Sequence, residues 1–336
     1  MTEEWTPGSL RELAFGYMSS GVLLAAAELD IFSTLDREPA SAPKLAAMLQ
    51  ADLRATTILA DALAALELLE KREDIYSLAP GVADALTHDG SDNQLPFMQH
   101  HANSLRSWGR LAEVTQSGRP AVAGPSIRGP EADHVAYQEI MDVNARHAPE
   151  VIAALGAFEF NHFLDIGCGP GTWAISLLHA VPGAHATLYD RPDVLPITRK
   201  HVEAVGLSSR ATFFEGDYLG DDPLPEGFDL VWISAVAHLN SRQQNRELFA
   251  KAHASLRTGG QLMIRDIVMD DARAAPFFGA MFSVTMLVRT ETGGTYSFRE
   301  FEEDLAVAGF ERAELFCGER PMDSVIRARR MDVPPK

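Results

Sequence analysis

Ten residues limit what this chain can fold into more than any others: Phe163-Leu164-Asp165-Ile166-Gly167-Cys168-Gly169-Pro170-Gly171-Thr172. An apolar run ends in an acid, crosses a Gly-rich turn and continues into Trp173-Ala174-Ile175-Ser176-Leu177-Leu178, which reads as a helix. Strand, tight turn and helix is the order in which an α/β sheet holds a nucleotide-like ligand against its first turn. The spacing Gly167-x-Gly169-x-Gly171 lacks the extra residue that the dinucleotide fingerprint carries before its third glycine. A Gly-rich turn alone is also compatible with a plain loop, so the downstream residues decide.

Four landmarks follow in the order a doubly wound sheet requires. Ala186-Thr187-Leu188-Tyr189-Asp190 reads as a second strand, ending in an acid where a carboxylate can accept hydrogen bonds from ribose hydroxyls. Thr212-Phe213-Phe214-Glu215 is a strand running into Gly216-Asp217-Tyr218. Phe228 to Ser234 is a buried fourth strand, followed by Ala235-Val236-Ala237-His238-Leu239. Leu256 to Asp266 combines a helix end, the Gly259-Gly260 turn and a fifth strand that closes on an acid.

With Asp165 ahead of the glycines, this ordered set resembles motif I and its sequels in class I S-adenosylmethionine (SAM) methyltransferases. More narrowly it resembles the small-molecule O-methyltransferases of the plant and bacterial natural-product type. The resemblance implies a Rossmann-like, seven-stranded α/β catalytic domain over 161–336, with SAM as methyl donor and S-adenosylhomocysteine as product. It implies cofactor contacts from Asp165, Gly167, Gly169 and Gly171, from Asp190 and Arg191, and from Gly216, Asp217 and Tyr218. In the family that last acid binds the adenine amino group and the next residue packs on the ring. Ser234 stands where plant members carry a lysine near the adenine.

His238 falls where the family places its catalytic base, and Asp266 matches an acid that orients it. A neutral imidazole can take a phenol's proton as the oxygen attacks the methyl group, and a carboxylate on one ring nitrogen fixes the tautomer. Two departures stand out. The chain reads His238-Leu239-Asn240 where the family usually continues His-Asp-Trp, and Gly293-Gly294-Thr295-Tyr296-Ser297-Phe298 lacks the second orienting acid of the plant relatives.

The first third, 1–92, reads as a helical module. Leu13, Tyr17, Leu24, Ala27 and Ile31 share one helical face, Ser41-Ala42-Pro43 opens a second helix, and Ala55 to Leu69 forms a longer one. Lys71 to Asp74 then forms a hairpin tip before Ile75-Tyr76-Ser77-Leu78. That is a winged-helix order, which suggests DNA binding. Charge opposes it: from Ser41 to Glu70 only Lys44 and Arg54 stand against Asp52, Asp61, Glu67 and Glu70. The family resemblance implies a homodimerisation domain instead, with a monomeric capping domain as the plain alternative.

Residues 93–160 read as a helical connector: a helix from Leu95 to Thr115, a loop from Ala121 to Glu131, and a helix resuming at Asp133. In the family this segment roofs the substrate cavity. Trp108, Met141 and Asn144 are its candidate acceptor contacts, as are Phe277, Met281 and Phe282 in the apolar helix from Pro276 to Val288. Each is equally compatible with plain core. His100 and His101 point about 100° apart on a helix and read as surface residues, so no metal site is expected.

A formal net charge of -18 makes nucleic acid a poor partner. The Arg327–Arg330 run reads as a solvated end. Cys168 and Cys317 form no metal or redox spacing, no signal peptide is apparent, and the apolar segment from Val22 to Leu29 is too short to span a bilayer. A cytoplasmic enzyme acting on a small molecule, with no membrane partner, is the expectation. The preferred reaction is methylation of a hydroxyl on an aromatic or polyketide-like metabolite. C- or N-methylation, a non-methylating SAM-binding enzyme and a regulator that has lost catalysis stay open.

Overall fold

The structure is a computed structural model that describes residues 4–121, 124–156, 159–220 and 222–330. The chain forms two compact units, Met1–Gly109 with Ala123–Val143 and Arg110–Val122 with Asn144–Lys336.

In the first unit Thr6 caps the helix Pro7–Glu28, its Oγ1 accepting the Ser9 N–H at 3.1 Å. Asp30, left-handed at φ 54°, ends that run and opens Ile31–Arg37. Ala27 and Ile31 are fully buried, as their shared face requires. Leu13 and Tyr17 on the same stripe are 67% and 62% exposed, so the first half of this helix has no cover within its unit. Helices Ala42–Leu49 and Leu53–Ala65 follow, the second capped by Asp52. Strands β1 (Ala40–Ser41), β2 (Leu69–Arg72) and β3 (Ile75–Leu78) form an antiparallel sheet in the order β1-β3-β2. Phe32, Leu35, Leu45, Leu63 and Tyr76 make the core, each large side chain contributing roughly 1.5–3 kcal/mol by burial.

The expected helix from Leu95 to Thr115 is two, Leu95–Trp108 and Leu111–Ser117, parted at Gly109, a weak helix former. The first lies against Pro7–Glu28, where Gln99 Nε2 donates to the Ala27 carbonyl at 3.2 Å and Arg106 pairs with Glu28. His100 is not a surface residue: it is 8% exposed and packs against His101 and Tyr137.

The second unit is built on β4 (His162–Ile166), β5 (His185–Asp190), β6 (Ala211–Glu215), β7 (Phe228–Ser234) and β8 (Leu256–Asp266). A short parallel pair, β9 (Val268–Met269) and β10 (Tyr296–Ser297), forms a separate two-stranded sheet, and β11 (Glu311–Phe316) and β12 (Ser324–Arg329) close the main one. The sheet has seven strands in the order β11-β12-β8-β7-β4-β5-β6. β4 to β8 pair in parallel and β12 and β11 close antiparallel. Strand order therefore reverses between β4 and β7, where sheets of this kind bind ligands. Leu164, Ile166, Val231 and Ile233 fill one face against Phe249 and Phe301, while Phe163, Leu188 and Trp232 fill the other against Trp173 and Leu177.

The C-terminal basic run is not a solvated end. Arg327 pairs with Glu314, and the Arg330 guanidinium binds the carbonyls of His253, Ala254 and Leu256. Among the described residues no single helix is long and apolar enough to cross a membrane.

Candidate active site

Beyond β4 the chain turns through Gly167, Gly169 and Gly171 at φ +70°, +52° and +84°, a region glycine enters without a Cβ penalty. At Gly167 a Cβ would also sit 2.7 Å from Val236 Cγ2, whereas at Gly169 nothing lies within 4 Å. The turn's own donors are occupied. Gly167 and Cys168 donate to the Tyr189 carbonyl at 2.9 and 3.2 Å, and Gly171 donates to the Cys168 carbonyl at 2.9 Å. Gly169 N–H donates to Asp190 Oδ2 at 2.8 Å. A pyrophosphate would need such groups free.

Carboxylates take the place of free donors here. Asp165 is 1% exposed and its Oδ2 has no hydrogen-bond partner; burial, with Asp190 nearby, holds its pKa well above the ordinary value. Burial also raises Asp190, although the N–H groups of Gly169 and Arg191 pull the other way. Asp217 follows β6 exposed, accepting the Leu219 N–H at 2.9 Å. Acids at the carboxyl edge of parallel strands repel a polyanion and favour a cation. SAM carries a sulfonium and an ammonium against one carboxylate. The orphaned Asp165 oxygen, the space over Gly169 and the acidic edge therefore fit it.

Around that edge, Gly216 lies so close to Tyr189 that a Cβ would stand 2.1 Å from the phenol oxygen. Arg191 is exposed and pairs with Asp193 at 3.1 Å. Ser234 Oγ accepts from Arg265 Nη1 at 3.1 Å.

His238 occupies a 3-10 turn, Ala237–Leu239, just past β7 and is 6% exposed. Its Nδ1 lies 2.9 Å from Asp266 Oδ1, and its backbone N–H donates to Asp266 Oδ2 at 3.2 Å. A carboxylate only accepts, so Nδ1 carries the proton and the Nε2 lone pair is left for chemistry. The Gly293-Gly294 stretch meets the histidine through the backbone: Gly294 N–H donates to the His238 carbonyl at 2.9 Å. A Cβ on Gly293 would stand 2.6 Å from that same carbonyl.

Phe282 meets the His238 ring edge-on at a centroid distance of 4.9 Å, with Phe278 stacked behind it. Phe277 and Met281, 76% and 38% exposed, are not drawn into that contact. The opposite face of their helix, Phe277–Arg289, with Ala280, Ser283, Val284 and Leu287, lines a cavity of about 470 Å³ that reaches Tyr296. Trp108 and Met141 are half-buried in the first unit, and Asn144 is an exposed residue of the second.

Sequence reading missed a buried cluster beside Ser234. Arg265, 3% exposed, donates to Asp323 Oδ1 at 2.8 Å and lies 4.1 Å over the Trp173 ring. His147 Nε2 reaches the same carboxylate oxygen at 2.8 Å. A charged pair ending an otherwise apolar strand, Leu262-Met263-Ile264-Arg265-Asp266, was the available signal. Among the described residues no group of three or more side chains could hold a metal ion.

A family model for the O-methyltransferase domain matches residues 118–311, more than half of the chain, and one for the O-methyltransferase dimerisation domain matches 11–89. The tetracenomycin polyketide synthesis 8-O-methyltransferase of Streptomyces glaucescens is 29% identical over 318 residues, covering 90% of this chain and 91% of the relative. The N,N-dimethyltransferase of Streptomyces rimosus is 29% identical over 319 residues, covering 90% of each. The crystal structure of human N-acetylserotonin methyltransferase in complex with SAM aligns with a TM-score of 0.80 at 26% identity, covering 99% of this chain and 100% of that one.

Proposed function

The chain belongs to the O-methyltransferase family of SAM-dependent enzymes, and on that premise we propose that it methylates a hydroxyl of a small aromatic, polyketide-like acceptor with His238 as general base. When bound, SAM supplies a methyl group on a sulfonium, an electrophile the protein need not activate. This chain's residues hold the reactants and move one proton. The carrying observation is the buried 2.9 Å contact from His238 Nδ1 to Asp266, which leaves Nε2 as the acceptor of a phenolic proton. A phenol's pKa near 10 makes that removal useful at neutral pH. Phe282, packed at right angles to the His238 ring, puts an aromatic side chain beside the base, which suits an aromatic acceptor.

A second reading, N-methylation, is favoured by the likeness to the Streptomyces rimosus N,N-dimethyltransferase. An aminonaphthol offers both groups to the enzyme at once. With ¹³C-methyl-labelled SAM, carbon NMR of the product is expected to show the label on oxygen. Label on nitrogen would replace the first reading with the second.

The bare stripe of Leu10, Leu13 and Tyr17 on Pro7–Glu28 falls in or beside the segment matched by the dimerisation model. It supports a homodimer formed through that helix, with the acidic module serving association and not DNA. Leu13→Glu with Tyr17→Glu is expected to halve the mass seen by light scattering while leaving the melting temperature of the second unit within a few degrees. An unchanged mass would place the interface elsewhere.

A further inference from the structure

The loop after β6 and the turn that carries His238 are joined by side chains. Tyr218 is half-buried, its ionisation pushed up to about 12 by that burial, and its hydroxyl donates to Asn240 Oδ1 at 3.2 Å. Asn240 is 1% exposed and engaged throughout: Nδ2 donates to Asn245 Oδ1 at 3.0 Å, and its carbonyl accepts from the Tyr296 hydroxyl. Asn245 Nδ2 in turn donates at 2.9 Å to the carbonyl of Ala237, the residue before His238. The turn Ala237–Leu239 is thus held by Asp266 through the histidine ring and by Asn240 and Asn245 from behind.

We propose that Asn240 is a positioning residue for His238 and that the Tyr218 hydroxyl couples it to the cofactor loop. A filled cofactor site then sets the base in place. The inference rests on the reading of Gly216-Asp217-Tyr218 as the adenine side and of His238 as the base. A ligand packed on the Tyr218 ring restricts its hydroxyl, and a 3.2 Å contact, longer than an ordinary O–H···O bond, has room to shorten. The coupling also gives the departure from His-Asp-Trp a use. An indole is a donor only, whereas the Asn240 amide accepts from Tyr218 and donates to Asn245 through the same group.

The test uses the full chain with ¹⁵N-labelled histidine, titrated with S-adenosylhomocysteine, the His238 signals being identified by their loss in His238→Ala. Saturation is expected to move the His238 ring resonances in the parent. Tyr218→Phe keeps the ring, so its affinity for the probe should stay within about threefold, yet the movement should fall by half or more. Its kcat on the aminonaphthol should drop about 5–10-fold with an unchanged KM for SAM, and the same substitution in a His238→Ala background should cost less than about twofold. A full-sized resonance movement in Tyr218→Phe overturns the coupling, whatever His238 does. Turnover unaffected by His238→Ala overturns the base assignment instead, and the spectra still decide the coupling.

Discussion

His238→Ala is expected to lower kcat by ~10²–10⁴-fold, the usual worth of a positioned general base, while SAM affinity changes by less than about twofold. The size follows from the geometry. The imidazole is 6% exposed and Asp266 1%, so the pair keeps its orientation without competition from bulk water. Asp266 Oδ1 also accepts the Ile267 N–H at 2.7 Å, which locks the carboxylate against the ring nitrogen. The proton therefore stays on Nδ1, and Nε2 is the group removed by the substitution. Alanine leaves the glycine turn and the acidic edge untouched, so binding should survive. The readout is initial rate against acceptor concentration, with SAM affinity measured separately. A loss within a few-fold would mean that positioning alone drives transfer to an acceptor that ionises unaided.

Asp165→Asn is expected to do two opposite things: stabilise the SAM-free protein and weaken SAM binding about 10–100-fold, the range for a lost hydrogen bond to a charged group. In the SAM-free fold this carboxylate is buried with one oxygen unpartnered, and burial raises its pKa above the ordinary 3.8. The native state then holds the proton more tightly than the unfolded chain. Stability contributed by this residue is present below 3.8 and is lost as pH rises through the raised value. Asparagine, neutral and of the same shape, removes that loss. A cationic ligand favours the ionised form, so SAM affinity should rise with pH across the same window. Melting curves with and without SAM over a pH series read both effects. A lower melting temperature for SAM-free Asp165→Asn, or an unchanged SAM affinity, would contradict the assignment.

The sheet was legible because four of the five parallel strands carry, at or next to their carboxyl end, an acid that a β-sheet interior does not need: Asp165, Asp190, Glu215 and Asp266. Periodicity found the helices but not their breaks. Gly109 and Asp30 split what the apolar pattern joins, and which residues of Phe277–Arg289 meet His238 depends on packing that spacing cannot assign. The networks were hidden for a related reason. Arg265 and Asp323 are 58 positions apart and Tyr218 and Asn240 are 22 apart, and paired polar side chains leave no periodic trace. Asn240 stands where the resembled motif has an aromatic residue; in the structure its amide joins Tyr218 to Asn245, which donates to the Ala237 carbonyl. Arg327 to Arg330 looked like an exposed tail because composition carries no information about the carbonyls that Arg330 caps.

The proposed reaction requires the acidic, glycine-rich turn from Asp165 to Gly171 to be the SAM site. Titration calorimetry of the parent protein with SAM tests that most directly. The expected result is saturable binding at one site per chain in the micromolar range, about −8 kcal/mol at 1 μM, weakened in Asp165→Asn. No heat of binding up to millimolar SAM, or equal affinity for the parent and Asp165→Asn, would contradict it.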